Sequence, residues 1–125
     1  MRYTLVSSLV LFALFLTACS QTKPLYYYGE YSEAYYASEK ELSHESQLQL
    51  QQAIEEAIQN APEGTSGRVA PGLYANLGYL NLKMGKNKKA IENFQQEKAL
   101  YPESAKFMDR MILKIQKMEE KEDDK

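Results

Sequence analysis

Tryptophan is absent from this chain, and cysteine and histidine occur once each, as Cys19 and His44. A lone cysteine excludes an intrachain disulfide, so stability has to come from packing. Neither sign of charge is in large excess: 15 Lys and Arg stand against 17 Asp and Glu, a net charge of −2. That balance leaves no basic footprint for nucleic acid. Long apolar runs are missing as well. The longest, Leu5 to Leu16, is interrupted by Ser7 and Ser8, and a membrane span needs about 20 apolar residues. The run is too short to cross a bilayer and fits the apolar region of a secretory signal, with Arg2 as its charged start.

What is present begins where that run ends. Leu16-Thr17-Ala18-Cys19 resembles the lipobox of bacterial lipoproteins. The resemblance implies removal of residues 1–18 and lipidation of Cys19, which becomes the first residue of the mature chain. Two or more acyl chains, at about 0.8 kcal/mol per buried methylene, hold a protein to a membrane where one would not. In enteric-type lipoproteins a serine after the lipidated cysteine accompanies transport to the outer membrane, so Ser20 implies that location. About 107 residues then remain, enough for one small domain, with 14 Lys and Arg against 17 Asp and Glu. Residues 19–25 form the anchor and a short linker. From Ser20 to Pro24 the chain reaches only ~16–18 Å when fully extended, which holds the folded part near the bilayer.

The linker runs into a tyrosine-rich segment, Leu25 to Tyr36, in which Tyr28, Tyr31 and Tyr35 recur at helical spacing. Two placements fit these rings: at the lipid headgroups, or packed against the following helices with the hydroxyls at the rim. A helix is expected from Ser46 to Asn60, with Leu50, Ile54, Ile58 and Ala61 on one stripe and Ala53 and Ala57 beside it. Ser43 or Ser46 is its candidate cap, and His44 a solvated residue at its start. Pro62-Glu63-Gly64 ends it, and the Gly/Thr/Ser loop to Gly67 is expected to be the most flexible segment.

Between Pro71 and Ser104, Tyr74, Leu77, Gly78, Ala90, Phe94 and Pro102 stand at the separations of the tetratricopeptide repeat, a helix-turn-helix of about 34 residues. The segment resembles one such repeat, and the physical pattern agrees. Leu73, Leu77, Leu80 and Met84 form an apolar stripe on the first helix, while Gly78 lets the second helix approach. Gly85-Lys86-Asn87 makes the turn, and Ala90, Ile91 and Phe94 face back. Proline disfavours helical geometry in the residue before it, so Tyr101-Pro102 ends the second helix. Two residues depart from the repeat: Asn81 replaces a tyrosine, and Glu97 replaces a small alanine. A glutamate is costly to bury, so looser or rotated packing is expected after the repeat.

Ser104 to Met118 reads as one further helix that caps the stack, with Met108, Met111, Ile112 and Ile115 inward and Lys106, Asp109, Arg110, Lys114 and Lys117 outward. Residues 119–125 read as a charged disordered tail. Upstream, Gly29 to Ala34 resembles the turn and early second helix of a degenerate repeat. The expected architecture is therefore all-α: about five helices in tetratricopeptide-like hairpins over residues 26–118, with a C-terminal capping helix.

Tyr26 to Tyr31, Pro71 to Tyr79 and Glu97 to Ser104 together resemble a family of small uncharacterised bacterial lipoproteins. Their genes often stand beside one for a lipoprotein similar to the curli secretion channel. The resemblance implies association with an envelope or secretion assembly and supplies no reaction.

In tetratricopeptide proteins the first helix of each hairpin lines a concave face that binds peptides or partner helices. Here that face carries Asn76, Tyr79 and Lys83, the expected partner-binding residues, with ligand contact and mere solvation both open for Asn76. Gly72 offers no lysine for a carboxylate clamp. The expected function is a non-enzymatic, lipid-anchored adaptor of the outer membrane, facing the periplasm and binding protein partners, a channel-type lipoprotein among them. Self-association is also open. A pilot-like chaperone that localises a channel subunit is the alternative. A peptidoglycan-acting enzyme is more remote, because Glu30, Glu33, His44 and Asp109 form no recognisable acid–base constellation. No metal or cofactor is implied.

Overall fold

The computed structural model describes residues 22–123. The apolar run, Cys19 and the lipidation expected there lie outside the described residues. Five α-helices and no strand are present among them: α1 (Tyr31–Lys40), α2 (His44–Gln59), α3 (Leu73–Lys83), α4 (Asn87–Leu100) and α5 (Ala105–Asp123). The described residues are all-helical, as expected, and each helix packs on its neighbours in sequence. That order is compatible with the tetratricopeptide-like description. No described helix is long and apolar enough to cross a membrane.

The helices form where pattern and caps agree. Helix α2 starts two residues earlier than expected because both candidate serines act together. The Ser43 hydroxyl accepts from the Ser46 N–H at 3.1 Å and the Ser46 hydroxyl accepts from the Ser43 N–H at 3.2 Å, a reciprocal capping box. His44 is exposed at that start. Leu50, Ile54 and Ala57 then meet Leu73, Leu77 and Leu80 of α3 in one core, against which Tyr26, Tyr27 and Tyr31 pack. Packing against the following helices is thus seen for these three rings, whereas Tyr28, Tyr35 and Tyr36 remain exposed.

A second core joins Ala90 and Phe94 of α4 to Met108, Ile112 and Ile115 of α5. The close approach expected at Gly78 is there. A Cβ at that position would stand 2.7 Å from Phe94 Cε1 and 3.1 Å from the Ala90 carbonyl oxygen, well inside van der Waals contact. Helix α4 ends at Leu100, and Pro102 opens a single 3-10 turn.

Several expectations are corrected. Helix α5 continues to Asp123, so residues 119–123 are helical and not a disordered tail. Met, Glu and Lys favour helix, no Gly or Pro interrupts them, and the Asn87 amide donates to Glu119 Oε1 at 3.0 Å. The loop after α2 is pinned, because the Thr65 and Ser66 N–H groups donate to the Pro24 and Leu25 carbonyls, both at 3.0 Å. The backbone of residues 25–27 thus passes close against Gly64 without forming a helix. Helix α1 pairs with α2, which follows it, and so forms the first helix of an upstream hairpin and not the second.

Glu97 is the largest departure from expectation. It is buried, and its carboxylate is hydrogen-bonded there. Gly72, at the start of α3, has φ +87 and no side chain to cap the helix. The Glu97 carboxylate does so from α4, accepting from the Gly72 N–H at 2.7 Å and the Ala75 N–H at 3.2 Å. A buried negative charge at a helix N-terminus meets unpaired donors and the positive end of the helix dipole. The opposite arrangement closes α4, where Arg68 Nη2 donates to the Leu100 carbonyl at 2.9 Å.

Candidate functional site

Helices α1, α3 and α5 stand on one side of the molecule and bound two clefts. One, of about 160 Å³, lies between α1, α2 and α3 and is lined by Tyr35, Ser38, Leu42, Leu50, Asn76 and Lys83. The other, of about 330 Å³, lies between α3, α4 and α5 and is lined by Ala75, Phe94, Phe107, Met111 and Lys114. Tyr79 lines both and forms the ridge between them.

The helical repeat explains the placement. Positions 76, 79 and 83 of α3 recur at three and four residues and lie along the flank of the Leu73–Leu77–Leu80 stripe. Tyr79 is 48 % exposed, and Lys83 Nζ sits 4.8 Å above its ring, a cation held over a π face. Asn76 differs from these two. Its Nδ2 donates to the Tyr31 hydroxyl at 2.6 Å, so the amide nitrogen that a ligand backbone would use is engaged by α1. Burial, foremost, and the neighbouring Tyr35 raise the Tyr31 pKa, while the Asn76 bond works the other way. The sequence-expected trio is therefore split: Tyr79 and Lys83 present exposed surface, and Asn76 joins α1 to α3.

Two residues of this face escaped sequence reasoning. Tyr35 is 41 % exposed and Phe107 61 %, and with Tyr79 they set one aromatic ring on each of the three helices. Phe107 had a signal. It is a large apolar residue that falls off the Met108–Ile112–Ile115 stripe, and such residues need another partner. The groups considered for acid–base chemistry are not brought together. Glu30 and Glu33 lie between α1 and α2, His44 is at the start of α2, and Asp109 pairs with Lys98. Among the described residues no three His, Cys, Asp or Glu side chains are grouped to hold a metal ion.

Residues 25–111 match the model of a domain family described as a domain of unknown function, DUF4810. The chain belongs to this family. Within DUF4810 the matched stretch runs from Leu25 through all of α1 to α4 and into the first turns of α5, and so contains all three rings and the named lining residues of both clefts except Lys114. No curated protein and no solved structure matches the chain.

Proposed function

We propose that this DUF4810 protein is a non-enzymatic adaptor of the bacterial cell envelope. It is anchored through lipid on Cys19 at the outer membrane, faces the periplasm, and binds a protein partner across α1, α3 and α5. One observation carries the reading: Tyr35, Tyr79 and Phe107 form an exposed aromatic band over two clefts. Large rings left in solvent are costly to leave uncovered, and aromatic side chains beside pockets are the usual anchors of protein interfaces. Lys83 and Lys114 flank the band and suit an acidic rim on the partner. The pairing of Pro24 with Thr65 supports the anchored reading, because it ties a residue five positions after Cys19 to the folded part.

The partner class implied is a membrane-resident envelope protein, a channel-type lipoprotein being the candidate suggested by the sequence resemblance. The test uses the full-length chain in cells. Tyr79→Ala combined with Phe107→Ala should abolish co-purification of the partner while the protein stays in the membrane fraction. Cys19→Ala should release it from that fraction. Partners retained in full by the double variant would refute the reading.

A further inference from the structure

The outer face of α5 is unlike that of a helix closing a stack in water. Arg110, Leu113, Lys114, Lys117, Met118 and Lys121 recur at three and four residues and form one stripe, turned away from the face that α4 covers. Leu113 is 53 % exposed and Met118 39 %, with four cations around them. Of the nearby acids Asp109 is engaged by Lys98 and Glu119 by Asn87, and Glu120 stands exposed three residues from Lys117.

At the other end of the chain α1 and α2 leave open a groove of about 350 Å³. Ala34, Ala37 and Ala53 lie along it, and Glu30, Glu33 and Glu56 carry its charge. The lining positions of both helices repeat in the same three-and-four rhythm. Small residues between two helices make the kind of groove into which side-chain ridges of a third helix pack.

We infer that α5 of one copy docks into the α1–α2 groove of the next copy, head to tail. Leu113 and Met118 lie over the alanines, and the four cations face the three glutamates. Charge selects this occupant. Four cations repel a second α5, and three glutamates repel a second groove, so neither face pairs with itself. Stacking of one hairpin helix on the next is also how such repeats bury their faces. Such a contact is heterologous and generates rings or open chains. The stripe adjoins the aromatic band and shares Lys114 with its cleft, but self-association of the chain alone is read without any partner of the band.

Sedimentation velocity of the full-length chain in a non-ionic detergent tests it. Wild type should gain mass with concentration and lose the association at ~0.5 M salt. Lys114→Glu with Lys117→Glu, and separately Glu30→Lys with Glu33→Lys, should each raise the dissociation constant at least ~10-fold. An equimolar mixture of the two should regain wild-type association, because each reversed face then meets a reversed partner. If a reversed variant melts early, Glu33→Cys and Lys117→Cys chains in a Cys19→Ser background provide a second route. Mixed under oxidising conditions they should form a disulfide-linked dimer at least ~5-fold faster than either alone. A wild type that stays monomeric, association that survives either reversal, or no recovery on mixing would overturn the inference. Vesicles of anionic phospholipid that bind wild type and the groove variant alike, but not the α5 variant, would assign the stripe to lipid and overturn it too.

Discussion

Glu97 makes opposite predictions depending on whether it is a packing defect or a cap. Replacing it by alanine removes a carboxylate that accepts from two N–H groups at the start of α3, at 2.7 and 3.2 Å. Gly72 has no side chain to substitute, and the Cβ of an alanine at position 97 accepts nothing. Hydrogen bonds to charged groups contribute about 1.5–3 kcal/mol each, and loss of an ordinary helix cap costs about 0.5–2 kcal/mol. Removal of the isolated charge offsets part of this, since burying a carboxylate has its own cost. The balance is a loss of ~2–4 kcal/mol for Glu97→Ala. For a domain of this size each kcal/mol is worth about 4–8 °C in Tm. Glu97→Gln keeps the volume and one acceptor but points an amide donor at donors, and should lose ~1–2 kcal/mol. Urea titration followed by circular dichroism measures both, and amide exchange at Gly72 and Ala75 localises the effect. A Glu97→Ala variant as stable as wild type, or more stable, would refute the capping account and restore the view that this glutamate is merely an expensive replacement for alanine.

Three further outcomes follow from the packing. Gly78→Ala should destabilise by ~1–3 kcal/mol despite alanine's better helix propensity, because its methyl would stand 2.7 and 2.8 Å from two Phe94 ring carbons and the ring is fully buried. Thermal melts check this, and a gain in Tm would contradict it. A double-mutant cycle with Tyr31→Phe and Asn76→Ala should give a coupling of ~0.5–1.5 kcal/mol, and one near zero would remove the link between α1 and α3. Burial, foremost, and then the neighbouring Tyr26 hydroxyl push the Tyr101 pKa up to about 12 from the ordinary tyrosine value. The folded state therefore holds this proton more tightly than the unfolded chain. The stabilisation is complete below the unfolded tyrosine pKa and is lost as pH rises through about 12. A urea series across that window should show the decline, and Tyr101→Phe, which also loses the bond to the Val69 carbonyl, should flatten it.

The parts of the fold that were legible in the sequence are those fixed by local spacing. Gly78, Ala90 and Phe94 lie on facing helices of one hairpin, and the turn between them is short, so periodicity alone places them together. The ends of α4 and the inward stripe of α5 were readable for the same reason. What was not legible depends on residues distant in sequence meeting in space. Glu97 looks like an error until the start of α3 is seen beside it, and Asn76 looks like free surface until Tyr31 arrives from 45 residues upstream. The pinned loop at Gly64 is a third case, since its partners at Pro24 and Leu25 belong to what composition reads as linker. Asn81 shows a limit of another kind. It is buried, its Nδ2 donates to the Leu77 carbonyl at 2.9 Å and its Oδ1 has no partner among the described residues; nothing in the structure explains why the repeat's tyrosine is replaced there.

For the candidate site, the sequence singled out α3 but not the band. Tyr35 and Phe107 come from helices that flank α3 in space, and only the stacking of hairpins sets their rings on the same face as Tyr79.

The central claim is that this aromatic face is covered by a protein partner in the envelope. Site-specific photocrosslinking in intact cells tests it most directly, with a benzoylphenylalanine placed at position 79 or 107 and, for comparison, at Lys89 on exposed α4 surface. The account predicts one discrete heavier adduct from positions 79 and 107 and none from 89. Equal labelling at all three positions, or no adduct from 79 and 107 in membranes where the anchored protein is abundant, would contradict it.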